Sequence, residues 1–173
     1  MTTRRQISRF PWCICMGALI FILSGTATAS DASSETSNTP RSNGLSTLAS
    51  EMVMQAMGMI GIRYKYGGNE PEDGLDCSGL VRYLFKKVWG AELPRTSEEM
   101  SRLGEHVDSR SLQAGDLVFY NTLQRGFSHV GIYLGDNKFV HAPSSGGQVR
   151  IESMDVGYWK KRFNGARRIN QSE

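Results

Sequence analysis

The apolar period of this chain changes once, at Gly104, and that change restricts the architectures open to it. Upstream, apolar residues recur every three to four positions; downstream they fall into short strand-like runs separated by turn residues. Leu48, Met52, Ala56 and Met59 or Ile60, after candidate caps at Ser46 or Thr47, predict an amphipathic helix that ends near Gly61. A second helix is expected to begin at its N-cap Asp76 and to stop at Gly90, with Leu80, Val81, Leu84 and Val88 on its apolar face. Thr96-Ser97-Glu98-Glu99 forms a capping box that announces a short third helix closed by Gly104. Strands are expected over 117–120, 128–134, 138–142, 149–152 and 166–169, joined by turns at Gly115-Asp116, Gly135-Asp136-Asn137 and Ser144-Ser145-Gly146-Gly147. Helices first and strands afterwards make an α+β domain, with N-terminal helices packed on a central antiparallel β-sheet.

The segment ahead of this domain has a different character. Arg4, Arg5 and Arg9, an apolar stretch over residues 12–23, and Ala27-Thr28-Ala29 are the three parts of a secretory signal peptide, with cleavage expected before Ser30. The apolar run is too short for a span and no stop-transfer charges follow, so no stable membrane anchor is expected once it is cut. Residues 1–29 are thus read as a signal peptide, 30–45 as a flexible Ser/Thr-rich linker, and 46–173 as the folded domain. Arg4-Arg5 does not separate the general secretory route from the twin-arginine route. The formal charge of +3 equals the three leader arginines, so the remainder is neutral and nothing in it points to a nucleic-acid partner.

Cysteine usage follows from the same division. Cys13 and Cys15 lie in the leader, and cleavage leaves Cys77 alone. An exported chain with one cysteine makes no internal disulfide, so the thiol is inert in the core, paired between chains, or reactive. Cys77 falls in the first turn of the second expected helix, where the helix dipole draws a thiol toward thiolate and backbone N–H groups can hold an oxyanion. Ser78 and Gly79 are small and leave the sulfur approachable. A cysteine buried under the helix as a small hydrophobe fits the same pattern.

The three histidines are His106, His129 and His141. If Gly135-Asp136-Asn137 is a three-residue hairpin loop, Leu134 pairs with Lys138 and His141 lies opposite Gly131. His129 is then its diagonal neighbour on the same sheet face. That places His129 to take a proton from Cys77 and His141 to fix its tautomer, with a satisfied core histidine as the plainer alternative. His106, beside Glu105, is expected at the surface. Cys77, His129 and His141 are also zinc-ligand types, but no close pair such as C-x-x-C or H-E-x-x-H is present, so neither metal nor cofactor is expected. Gly67-Gly68 belongs to no phosphate-binding fingerprint. The basic residues Lys160, Lys161, Arg162, Arg167 and Arg168 read as a solvated face, and Phe85, Trp89, Trp159 and Phe163 as packing.

Tyr64-Lys65-Tyr66-Gly67-Gly68, Asp76-Cys77-Ser78-Gly79-Leu80-Val81, Leu93-Pro94-Arg95-Thr96-Ser97, Gly115-Asp116-Leu117, Ser128-His129-Val130-Gly131-Ile132-Tyr133 and Phe139-Val140-His141-Ala142 occur in the order found in the NlpC family of cell-wall cysteine peptidases. The resemblance covers residues 50–169, and the ending from Tyr158 to Phe163 with Ala166-Arg167-Arg168 further resembles MepS-type murein endopeptidases of Gram-negative envelopes. It implies a papain-like fold in which Cys77 is the nucleophile, His129 the general base and His141 the third polar residue. Tyr64 then lies near the thiol at the oxyanion or substrate, Ser78 touches substrate, and Tyr66 walls the cleft. The implied substrate is peptidoglycan, cut in its stem peptides or cross-links, with the D-Ala to diaminopimelate bond favoured and the γ-D-Glu to diaminopimelate bond as the alternative. A monomer in the periplasm is expected. A zinc-binding or non-catalytic wall-binding module on the same fold is the competing reading. Two departures from the family stand out: no lipid-site cysteine follows the leader, as it does in many lipoprotein relatives, and the spacer Asn69-Glu70-Pro71-Glu72-Asp73 is expected to reshape the cleft rim and with it the specificity the resemblance implies.

Overall fold

Asp76 starts the helix on which the rest of the domain is assembled. Its backbone is extended (φ −90°, ψ 179°), and its side chain accepts the Gly79 N–H at 2.7 Å, which satisfies one of the donors a helix start leaves open. Gly90 closes the same helix in the left-handed region at φ 66°. Both boundaries agree with the sequence expectation.

The computed structural model describes residues 42–123 and 126–170. The expected signal peptide, its cleavage site, Cys13 and Cys15, and residues 30–41 of the expected linker lie outside them. The elements run α1 (Ser42–Met57), β1 (Asn69–Glu70), β2 (Gly74–Leu75), α2 (Cys77–Trp89), α3 (Ser97–Met100), β3 (Glu105–Val107), a 3-10 turn (Ser109–Ser111), β4 (Leu117–Tyr120), β5 (His129–Gly135), β6 (Lys138–His141), β7 (Arg150–Ser153), α4 (Gly157–Lys160) and β8 (Phe163–Arg168). β1 and β2 form a small hairpin, and the other six strands form one sheet in the order β3-β8-β4-β5-β6-β7 with every neighbour antiparallel.

Alternation along the strands gives this sheet two apolar faces. Leu117, Phe119, Val130, Ile132 and Val140 meet Met52 and Ala56 of α1 and Leu80, Val81, Leu84 and Phe85 of α2. Each of these large side chains, fully buried, stabilises the fold by about 1.5–3 kcal/mol. On the other face Val118, Tyr120, Tyr133, Phe139 and Ala166 pack around Trp159 of α4. The sheet is therefore covered on both sides, which classes the domain as α+β.

Several boundaries differ from expectation. α1 begins at Ser42, so residues 42–45 of the expected linker are helical and Ser46 and Thr47 fall inside the helix. Serine and threonine favour caps without enforcing one. α3 is one turn long with the capping box intact, and it ends at Ser101 rather than Gly104. β3 and α4 were not anticipated: Glu105-His106-Val107 offers one apolar residue and pairs with β8 through backbone, and four residues show no helical period. β8 starts at Phe163, three residues early.

The hairpin that carries the two histidines is built differently from the expected one and arrives at the same register. Its loop has two residues, Asp136 and Asn137, both left-handed (φ 50° and 52°), as a type I′ turn requires, and Gly135 pairs with Lys138. The ladder then shifts between Tyr133 and Gly135, so Leu134 is an extra residue on one strand. Beyond that bulge Tyr133 faces Phe139 and Ile132 faces Val140, the pairing the three-residue loop implied. His129 and His141 consequently share a face.

Gly79 sits where a side chain has no room. A Cβ there would overlap the Gly68 carbonyl oxygen, because the Tyr64–Gly68 segment runs across the start of α2. Gly79→Ala should lower the unfolding free energy by about 1–3 kcal/mol in urea titrations, as overpacking does.

Candidate active site

A buried carboxylate organises the start of α2. Besides capping Gly79, Asp76 accepts the Ser78 hydroxyl at 3.1 Å, the Gly67 N–H at 3.0 Å and both guanidinium nitrogens of Arg95, at 3.2 Å on Oδ1 and 2.5 Å on Oδ2. Arg95 also donates to Ser78 Oγ at 2.7 Å. These partners satisfy a carboxylate that would otherwise be costly to bury, and they tie three separate stretches of chain to the residue preceding Cys77.

Beside this network lies a cleft of about 370 Å³, lined by Tyr64, Tyr66, Cys77, Ser78, Arg95 and His129 among others. Five of the six residues expected at a site from sequence thus share one cavity, and His141 lies fully buried behind it. Its Nδ1 is 2.8 Å from His129 Nε2, with the rings edge to face. Tyr66 stands at the rim, 90% exposed, and so forms a packed wall less than the sequence reading implied. His106 is exposed on β3 and does not line the cleft.

Cys77 is partly buried, and the backbone N–H groups of Ser78 and of Val130, the residue after His129, come close enough to its sulfur to favour the thiolate. That second donor places the sulfur against the strand that carries the imidazole. Burial, reinforced by the Asp76 carboxylate, pushes the thiol up, while the two N–H donors and Arg95 pull the other way without prevailing. The sequence expectation of a thiol drawn toward thiolate is therefore reversed: desolvation outweighs the helix terminus. Burial lowers His129 to about 4. His141 is lowered to about 2 by burial first, then by His129 and Arg150. At neutral pH the pair rests as thiol and neutral imidazole, and a neutral imidazole is the form able to accept a proton. Burial also raises Tyr64, with Cys77 and Asp76 adding to it, so the hydroxyl stays a donor.

Three further side chains at the site were given no chemical role by the sequence reading. Arg95, in Leu93-Pro94-Arg95-Thr96-Ser97, braces Asp76 and Ser78. Trp159, read as packing, does pack, but against the histidines: its indole stacks on His129 (centroids 5.6 Å, 24°) and lies edge-on to His141 at 4.9 Å. Glu152 on β7 accepts the Trp159 indole N–H on Oε2 and Arg150 Nε on Oε1 at 3.0 Å. Its Oε2 lies 3.1 Å from His141 Nε2, close enough for an ion pair but outside hydrogen-bond alignment. No local signal marks Glu152 or Trp159, because only strand pairing and α4 bring them to the imidazoles. Among the described residues no group of three histidine, cysteine or acidic side chains converges in a way that would hold a metal ion.

With this geometry in view, the comparisons with known proteins are specific. The NlpC/P60 family profile matches residues 61–168. The chain belongs to the NlpC/P60 family. It is 47% identical over 109 residues to the murein DD-endopeptidase MepS/murein LD-carboxypeptidase of Escherichia coli K12, an overlap of 63% of this chain and 56% of that protein. It is 40% identical over 120 residues to the gamma-DL-glutamyl hydrolase of Bacillus subtilis, covering 69% of this chain and 29% of that one. Among solved structures, the peptidoglycan hydrolase RipB of Mycobacterium tuberculosis superposes with a TM-score of 0.63 at 30% identity, over 75% of this chain and 68% of its own. The chain spans about half the length, or less, of the curated relatives it matches.

A buried thiol titrates late. The rate of Cys77 alkylation by iodoacetamide should rise through a pH range above that of a free cysteine, near 8.5, and show no thiolate plateau at neutral pH, as stopped-flow or mass-spectrometric labelling across pH 5–11 will read.

Proposed function

We propose that this protein is a peptidoglycan endopeptidase of the cysteine type, with Cys77 as nucleophile, His129 as general base and His141 as the residue that orients it. The observation that carries this reading is the shared cleft: a thiol at a capped helix start, against the strand bearing an imidazole that is itself backed at 2.8 Å by a second imidazole. In the first half-reaction the sulfur attacks the scissile carbonyl carbon while His129 takes the thiol proton. The oxygen that becomes negative is held by N–H groups of the first turn of α2 and by the Tyr64 hydroxyl. The C–N bond then breaks, His129 returns its proton to the leaving amine, and a thioester remains on Cys77. Water attacks that thioester with His129 again as base, releasing a carboxylic acid and restoring the thiol. Arg95, fixed by Asp76 and Ser78, lines the cleft with guanidinium N–H groups left over that suit the acidic groups of a stem peptide.

The 47% identity to MepS favours the D-Ala to diaminopimelate cross-link as the bond cut. Cleavage between γ-D-Glu and diaminopimelate is the second reading, favoured by the identity to the gamma-DL-glutamyl hydrolase. We infer as well that residues 1–29 direct export and are removed near Ala29, that residues 30–41 act as a tether ahead of the folded unit, and that the enzyme works in the periplasm as a monomer. No described helix is long and apolar enough to cross a membrane.

Purified saccules incubated with the protein should release new muropeptides, and Cys77→Ala should cut the rate by about 1,000-fold or more, the scale expected for loss of a nucleophile. Mass spectrometry of the products tells the two bonds apart by whether cross-linked dimers or stem peptides shorten. Equal release by Cys77→Ala, or loss of activity to a chelator but not to iodoacetamide, would remove the mechanism.

A further inference from the structure

His129 has two ring nitrogens, and one of them is committed. Nε2 faces His141 Nδ1 at 2.8 Å, which leaves Nδ1 as the nitrogen able to take the Cys77 proton. For Nδ1 to accept, the neutral ring must carry its hydrogen on Nε2 and donate it to His141. His141 must then accept on Nδ1 and carry its own hydrogen on Nε2. That Nε2 is buried without an aligned hydrogen-bond partner, and Glu152 Oε2 lies 3.1 Å from it. In the opposite arrangement the buried nitrogen would present a bare lone pair to the carboxylate oxygen, a repulsive contact in place of an attractive one.

Glu152 is itself held on its remaining sides. Arg150 donates to Oε1, the Trp159 indole donates to Oε2, and strand register sets Glu152 opposite Phe139, two residues from His141 along β6. Trp159 packs on both imidazoles and His141 is fully buried, so the ring nitrogen has no water to turn to and the half-buried carboxylate is the acceptor within reach of its N–H. The 3.1 Å approach is out of alignment in the resting geometry, and catalytic hydrogen bonds of this kind commonly tighten only once substrate is bound.

We propose that Glu152 is a positioning residue for this site: its carboxylate, acting through His141, holds His129 in the tautomer whose Nδ1 accepts the Cys77 proton. The inference deepens the cysteine-peptidase reading and rests on it, but its first test does not use activity. Long-range 1H–15N spectra of the full chain labelled with 15N-histidine at pH 7 should show His141 and His129 both carrying hydrogen on Nε2. Glu152→Ala should mix the tautomers of both rings and lower kcat on saccule digestion by about 10- to 100-fold with KM within about twofold. Glu152→Gln, whose amide oxygen can still accept, should recover the wild-type tautomers and most of that kcat. Wild-type spectra showing His141 with hydrogen on Nδ1 overturn the proposal, and so does Glu152→Ala with tautomers and kcat unchanged. If Glu152→Ala fails to fold, the wild-type spectra and Glu152→Gln decide between the same outcomes. Retained hydrolysis by Cys77→Ala beside the expected tautomers would instead sink the peptidase reading and leave the tautomer assignment standing.

Discussion

The Asp76 carboxylate is the interaction on which the arrangement of this domain depends. Burying it is unfavourable unless every lone pair is met, and the partners that meet them come from the loop before β1, the first turn of α2 and the segment ahead of α3. A single residue therefore sets the direction of α2, the floor of the cleft and the placement of Arg95. It does so at an electrostatic cost to its neighbour, since the same negative charge opposes ionisation of Cys77. Arg95 offsets part of that opposition, so the guanidinium is as much a part of the thiol's environment as it is a surface of the cleft.

The two sides of the site are made by different physics. Cys77 stands on a helix end, where capping and close backbone approach fix its position, and Gly79 with Gly68 shows how little slack is left. His129 stands on a central strand, where pairing fixes it and Trp159 stacks on its ring. Burial then pushes thiol and imidazole in opposite directions, each toward its neutral form. A resting pair without charge tolerates an apolar enclosure that an ion pair would not.

Local signals made much of this legible before any coordinates. The cap at Asp76, the stop at Gly90, the capping box at Thr96 and the strand from Leu117 to Tyr120 depend on neighbours in sequence, and they stand where the pattern placed them. The cleft residues Tyr64, Cys77, Ser78 and His129 were legible for the same reason combined with family motifs. What escaped was set by long-range pairing. β3 is too polar to announce itself and exists because β8 offers it an edge, while α4 is a single turn whose purpose is to seat Trp159. Glu152 carries no local mark, since its relation to His141 is made by the pairing of β7 with β6. The direction of the thiol shift was missed because a helix terminus is visible in sequence and desolvation is not.

The loop between β5 and β6 has two residues where three were expected, and the bulge at Leu134 restores what the missing one would have changed. Strand geometry is a matter of parity: one residue more or less between the two imidazoles turns one of them to the opposite side of the sheet. An odd change in the length of the paired strands consequently keeps the two imidazoles together only where an unpaired residue, in the loop or as a bulge, absorbs it. An uncompensated odd change at that remote, solvent-facing corner would separate His129 from His141 as completely as replacing either one.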